Sequence, residues 1–396
     1  MSHIDELKKM KLHLDISRGK PCKAQLDLSN KMLEVIHSRS PFLDDNNFDV
    51  RNYGELTGIP EAKKLMADIL EVPSENVIVY GNSSLAIMFD QISRSYSRGV
   101  LGSTPWCKLP NVKWICLTPG YDRHFAILEY FGIEMIDVPL KEDGPDMDNI
   151  EEIVKDDSVK GIWCVPKYSN PTGITYSDEV VRRLAKLRPS AKDFRIYYDN
   201  AYALHNIDDQ DDKLLSIFEE AKKVNNEDIL YMFTSTSKIT FPGGGISALA
   251  SSSSNLEEIK KQLSIQTIGH DKLNQLRHVR FFQNKDGIVE HMKKHQQILK
   301  EKFNIVYEYL DKVSGYVSYN KARGGYFVTI KVNHNADKIV DRCLKLGVKL
   351  TEAGATHPYH KDPTNSYIRL APTYLSNDNL RLAMDVITTV IVEQSK

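Results

Sequence analysis

Short apolar runs alternate with amphipathic stretches through the middle of this chain. Residues 77–80, 112–118, 134–138, 159–165, 194–198 and 229–233 read as buried strands. Between them, residues 85–95, 124–130, 148–155, 177–187 and about 214–225 carry apolar side chains at helical spacing. Pro60 suits the first turn of a further helix over 61–70, whose apolar face is Ala62, Leu65, Met66 and Ile69. Such strand–helix alternation predicts an α/β architecture with a mostly parallel sheet, whose ligands gather at the carboxyl ends of the strands. The pattern changes after residue 245. An apolar strand at 246–250 and helical segments from Leu256 lead into one long amphipathic helix near 286–313. Paired strands at 316–320 and 325–332, a helix at 338–346, a strand at 366–372 and a helix at 377–393 then make an α+β unit. The expected division is a large domain over 46–285, with 1–45 and 286–396 forming a smaller one.

The strand ends carry polar turns of unusual composition. Gly81-Asn82-Ser83-Ser84 joins a strand to a helix, where free N–H groups, a positive dipole end and two hydroxyls make an anion site. The same residues also suit simple helix capping. Ser235-Thr236-Ser237-Lys238 follows another strand and precedes Pro242-Gly243-Gly244-Gly245. A lysine there can form an imine with a carbonyl when its amine is neutral, and the flanking hydroxyls suit a phosphate ester. The bland reading is a polar loop after a strand. Tyr121, Asn170 and Asp199 stand at three further strand ends. Arg18-Gly19-Lys20-Pro21 is a cationic turn, suited to an anion or to solvent. The acidic run 208–212 reads as a solvated loop.

Composition narrows the function classes. The 396 residues are 41% hydrophobic and 27% charged, with a net charge of −1, which gives no broad attraction for nucleic acid or an anionic membrane. No apolar run reaches membrane-spanning length, and residues 1–11 are polar. Five scattered cysteines with no Cys-x-x-Cys fit a reducing cytoplasm and supply neither a disulfide framework nor a zinc site. His357 and His360 have no carboxylate partners and flank a proline, so no metal is expected.

Taken in order, Gly81-Asn82-Ser83-Ser84, Pro119-Gly120-Tyr121, Asn170-Pro171-Thr172-Gly173, Asp199-x-x-Tyr202, Ser235-x-x-Lys238 and Arg369 resemble the fold-type I pyridoxal-phosphate aminotransferases of class I. Arg18-Gly19-Lys20-Pro21, Tyr53-Gly54-Glu55-Leu56-Thr57-Gly58 and Ser-Thr-Ser-Lys-Ile-Thr-Phe-Pro-Gly look like the type Ic aspartate aminotransferase subgroup, with relatives in the MocR-like group. The resemblance covers nearly the whole chain. It implies a seven-stranded sheet, bound pyridoxal 5'-phosphate and a homodimer with shared active sites.

It also implies roles. Lys238 is the Schiff-base lysine and proton carrier. Asp199 pairs with the pyridine nitrogen, Tyr202 and Asn170 bind the phenolic oxygen, and Tyr121 stacks on the ring. Ser83, Ser84, Ser235, Ser237 and the backbone of Asn82 serve the phosphate, joined by Tyr53 of the neighbouring subunit. Arg369 grips the substrate carboxylate with Asn170, and Arg18 and Gly19 lie on the substrate side. Many class I members carry an arginine eight residues after the lysine; here that position is Ile246. The implied reaction is transamination between L-aspartate and 2-oxoglutarate by a ping-pong cycle. The alternatives are an aromatic or kynurenine aminotransferase, a β-lyase, or a MocR-type sensor domain.

Overall fold

The computed structural model describes residues 3–333 and 335–395. Eight strands form one sheet, in the order Val77–Tyr80, Ser247–Ser251, Leu230–Ser235, Arg195–Asp199, Val159–Cys164, Lys113–Thr118, Glu134–Lys141, Gly144–Pro145. The strands from Leu230–Ser235 through Glu134–Lys141 are mutually parallel, while Ser247–Ser251 runs antiparallel to both neighbours. Seven strands were expected; the eighth, Gly144–Pro145, is a two-residue hairpin return at the edge. Two residues, one a proline, leave no period-two signal to read.

Burial on both faces explains the continuous apolar runs. In Arg195–Asp199, Ile196 and Tyr198 face one core while Tyr197 faces the other; Ile162 and Cys164 alternate with Trp163 in the same way. One core packs against Pro60–Leu70 and Asp178–Lys186, the other against Ser84–Arg98 and Asp122–Phe131. Gly161 is needed for packing: a Cβ there would lie 2.3 Å from the indole of Trp114.

Helix starts follow their caps. Ser177 Oγ accepts from Val180 N, and Asp178–Lys186 begins at the next residue. Ser216 caps Ile217–Lys222, so the helix expected over 214–225 is shorter, and Leu214 and Leu215 pack before it as irregular chain.

A third core gathers Leu299, Phe303, Val306 and Leu310 of Lys285–Asp311 with Val328, Ile330, Ile368, Leu370 and the apolar face of Asn377–Gln394. Val317–Tyr319, Val328–Val332 and Tyr367–Leu370 make its antiparallel sheet. Leu7, Leu14 and Ile16 join this core, and Leu14–Asp15 pairs with Val348–Lys349. Tyr168 and Tyr202, from strand ends of the large sheet, belong to it too. The acidic run is the exposed loop expected, and carboxylates in it also reach cations. Asp211 pairs with buried Lys167 at 2.8 Å, and Asp212 with Arg323 at 3.0 Å.

Candidate active site

The loop after Leu230–Ser235 carries Lys238, half-buried, with Nζ 4.9 Å from the ring centre of Tyr202 and 5.9 Å from that of Tyr326. Its backbone is fastened at several points. Thr236 N donates to Ile246 O at 2.8 Å, Thr240 N to Thr236 O at 2.8 Å, and Tyr326 Oη to Lys238 O at 3.2 Å. Gln25, fully buried, donates to Tyr326 Oη at 2.9 Å, so the N-terminal segment buttresses the lysine loop. Ile246 is 1% exposed and lies in the apolar core, so its position carries no charge toward the loop.

The serine turns are stitched together. Ser235 Oγ donates to Ser237 Oγ at 3.2 Å, Ser237 Oγ to Asn82 O at 2.8 Å, and Asn82 Nδ2 to Pro242 O at 3.1 Å. Ser83 is the cap of Ser84–Arg98, its Oγ accepting from Ala86 N, so the capping reading holds for that hydroxyl. The helix still presents an exposed N-terminus at Gly81 and Asn82, beside the Lys238 loop.

Asp199, 4% exposed, places Oδ2 3.2 Å from His124 Nε2, and its buried Oδ1 has no hydrogen-bond partner among the described residues. His124 stacks on Trp163 with ring centres 4.4 Å apart and meets Tyr121 edge-on at 4.8 Å. Burial pushes the Tyr121 hydroxyl up to about 12, and that of Tyr202 higher still, so both phenols stay neutral at physiological pH. The Asn170 side chain lies near the Tyr202 hydroxyl and helps to hold its pKa down.

Arg369 lies in Tyr367–Leu370, 4% exposed, with its guanidinium carbon 5.0 Å from the Phe327 ring centre. Its Nη1 donates to Asp122 Oδ1 at 2.8 Å and to Asn170 Oδ1 at 3.4 Å, and Nε to Thr351 Oγ1 at 3.3 Å. Gly19 belongs beneath this group, since a Cβ there would sit 2.7 Å from Phe327 Cζ. Arg18 is exposed, as is Tyr53 at 77%. The structure therefore brings together Lys238, Asp199, Tyr202, Asn170, Tyr121, Arg369 and Gly19, and leaves Arg18 and Tyr53 at the surface.

The profile of the aspartate amino-transferase family matches residues 1–396. An aspartate aminotransferase of Corynebacterium glutamicum is 43% identical over 393 residues, spanning 98% of this chain and 91% of the relative. The crystal structure of an aspartate transaminase from that organism superposes with a TM-score of 0.95 at 43% identity, covering 98% of this chain and 93% of the other. The chain belongs to the aspartate aminotransferase family. It is a pyridoxal-phosphate-dependent aminotransferase of fold-type I. A kynurenine aminotransferase from Pyrococcus horikoshii shares the fold at a TM-score of 0.79 and 19% identity, covering 100% of this chain and 95% of that one.

The residues present fit that cofactor. A buried carboxylate oxygen with no partner is costly unless a donor meets it, and among the described residues Asp199 Oδ1 is such an atom, on a carboxylate close enough to raise the Tyr202 phenol. Three groups at the site escaped sequence reasoning: His124, Asp122 and Thr351. His124 lies one helical turn after Tyr121, a spacing that puts both rings on one face, and that was the available signal.

Neutral histidines surround the aminotransferase's lysine loop. His278 Nε2 lies 3.1 Å from Thr236 Oγ1 and 3.1 Å from Thr240 Oγ1, and His291 Nε2 lies 2.9 Å from Ile239 O. Burial lowers all of them, His278 to about 4, His205 and His295 to about 3, and His291 in the same direction. Their folded values lie below the unfolded value of about 6.5, so the unfolded chain binds more protons beneath that pH. Stability is complete above about pH 6.5 and falls as pH drops toward 4, by up to about 1.4 kcal/mol per pH unit for each histidine. Melting temperatures measured at pH 7.5, 6 and 5 should fall in that order, and His278→Gln should flatten the profile. Equal melting temperatures at pH 7.5 and 5 would contradict this account.

Proposed function

We propose that the enzyme exchanges an amino group between L-aspartate and 2-oxoglutarate in a ping-pong cycle, as a cytoplasmic homodimer, with Lys238 as its catalytic amine. The observation that carries the reading is the unbroken chain of contacts from guanidinium to amine. Arg369 touches Asn170, Asn170 touches Tyr202, and the Tyr202 ring faces Lys238 Nζ at 4.9 Å. That spacing suits an α-amino acid, gripped by its carboxylate at one end with its Cα near a base at the other. The aspartate aminotransferase from C. glutamicum, at 43% identity, supports aspartate as amino donor.

When bound, pyridoxal phosphate supplies an aldehyde for the amine and a ring that accepts the electrons released at Cα. The chain's residues do the rest. Asp199 Oδ1 would accept the N–H of the ring nitrogen, while His124 holds Oδ2. Tyr202 and Asn170 would donate to the ring's phenolic oxygen, and Tyr121 would cover one ring face. The Asn82–Ser84 turn, Ser235 and Ser237 would hold the phosphate through N–H and O–H donors at the start of Ser84–Arg98. Tyr53, exposed in one protomer, reaches the phosphate site of its partner. Lys238 Nζ would take the proton from the substrate Cα and hold it for return. Arg369 and Asn170 fix the carboxylate, with Gly19 and Arg18 on the substrate side.

The test is the absorbance spectrum of the reconstituted protein. A visible band should be present, and L-aspartate should convert it to the spectrum of the aminated cofactor; 2-oxoglutarate should reverse the change. Conversion by kynurenine, aromatic amino acids or cysteine conjugates, but not by L-aspartate, would overturn the substrate assignment.

A further inference from the structure

Arg369 already holds a carboxylate in this structure, and that carboxylate belongs to the protein. We infer that Asp122 is the resident counter-ion of Arg369 and that a substrate carboxylate must displace it from Nη1. The inference rests on the reading of Arg369 as the carboxylate-binding group. A guanidinium that is 4% exposed needs a counter-charge, and among the described residues Asp122 is the carboxylate that pairs with it, at 2.8 Å. Two of its three nitrogens are engaged, Nε and Nη1, and only Nη2 has no hydrogen-bond partner among the described residues. Nε is held by Thr351, the Phe327 ring covers the guanidinium face, and Phe327 is backed by the chain at Gly19.

A substrate carboxylate binds an arginine best across two adjacent nitrogens. Taking Nη1 and Nη2 together puts it where Asp122 Oδ1 now lies, and two carboxylates on one guanidinium repel each other. Asp122 has somewhere to go. It is the first residue of Asp122–Phe131 and is 21% exposed, so its carboxylate can turn to solvent while staying at the favourable end of the helix dipole. Neighbouring Asn170 exchanges with it, because its Oδ1 already shares Nη1.

The exchange makes Asp122 a specificity residue. A ligand enters only with a free carboxylate able to replace one, so amino acid esters and amides are rejected by a charge left without its partner. The cost of displacement is subtracted from the affinity of every carboxylate that binds.

Calorimetric titration of the reconstituted enzyme with maleate, an unreactive dicarboxylate, tests this without turnover. Asp122→Asn should tighten maleate binding about tenfold, and Asp122→Glu should stay near the parent value. If Asp122→Asn loses its fold by circular dichroism, Asp122→Ser provides the same measurement. Unchanged or weaker binding in the neutral variant would overturn the inference, since a carboxylate that merely orients Arg369 helps ligands bind. Arg369→Lys separates the two readings. If it binds maleate as the parent does, the assignment of Arg369 fails and the inference falls with it. If it binds weakly while Asp122→Asn gains nothing, the counter-ion inference alone fails.

Discussion

Lys238→Ala is expected to lower turnover of L-aspartate and 2-oxoglutarate by at least about 10⁴-fold, the upper range for loss of a positioned acid–base group. The fold should survive. Residue 238 joins the contacts that shape this loop through its main chain, with Tyr326 Oη donating to Lys238 O, and the neighbouring turn is held by Ile239 N donating to Thr236 O at 2.9 Å. Alanine keeps all of them. The side chain itself is half-buried and faces aromatic rings across 4.9 and 5.9 Å, so its loss removes an amine and little packing. A melting temperature within a few degrees of the parent, together with the lost turnover, would assign the effect to the amine. The same variant should shift the visible absorbance of the reconstituted protein, because the cofactor's aldehyde then has no lysine to engage. Residual activity above about 1% of the parent would show that another group moves the proton.

Much of this site was legible because each motif joins a strand signal to a polar turn. An apolar run ending in Gly-Asn-Ser-Ser, Asp-Asn-Ala-Tyr or Ser-Thr-Ser-Lys marks a strand's carboxyl end, and in a parallel sheet those ends converge. Arg369 was legible only through the resemblance, since a lone arginine in a strand has no local signature. What the residues did not reveal depends on packing across elements. His124 reads along the chain as one more polar helical position; it matters because the Asp122–Phe131 helix lies against the end of Arg195–Asp199, where its ring meets Trp163 and Asp199. Asp122 reads as a good first-turn acid, and only the antiparallel pairing of Val328–Val332 with Tyr367–Leu370 carries Arg369 to it. The acidic run is the exposed loop its charge suggested, but its ion pairs were hidden for the same reason. Lys167 and Arg323, distant in sequence, pair with Asp211 and Asp212. At Ile246 sequence comparison framed the residue as a missing charge; its buried side chain makes it part of the core that supports the lysine loop.

Asp199→Asn should be the second most damaging substitution, lowering kcat by about 10²- to 10³-fold, the range for removing one preorganised electrostatic partner of a developing charge. The amide has the shape of the carboxylate, so packing against His124 and the strand end is preserved while the negative charge is lost. Oδ2 can be replaced without much cost, because His124 Nε2 at 3.2 Å finds an acceptor in an asparagine oxygen as well. Oδ1 cannot. It is the buried oxygen with no partner among the described residues, and an amide there would bring no negative charge to hold a proton on the ring nitrogen. The ring then stays neutral and withdraws electrons from Cα poorly, whichever amino acid is bound. Two measurements distinguish this from general damage. Maleate affinity, which reports on Arg369, should change by less than about twofold, because Asp199 does not touch that group. His124→Phe keeps the stack on Trp163 and removes only the hydrogen bond to Oδ2, so it should cost about tenfold, the smaller penalty of an outer partner. A loss in His124→Phe equal to that in Asp199→Asn would mean that the imidazole, and not the carboxylate charge, is what the reaction requires.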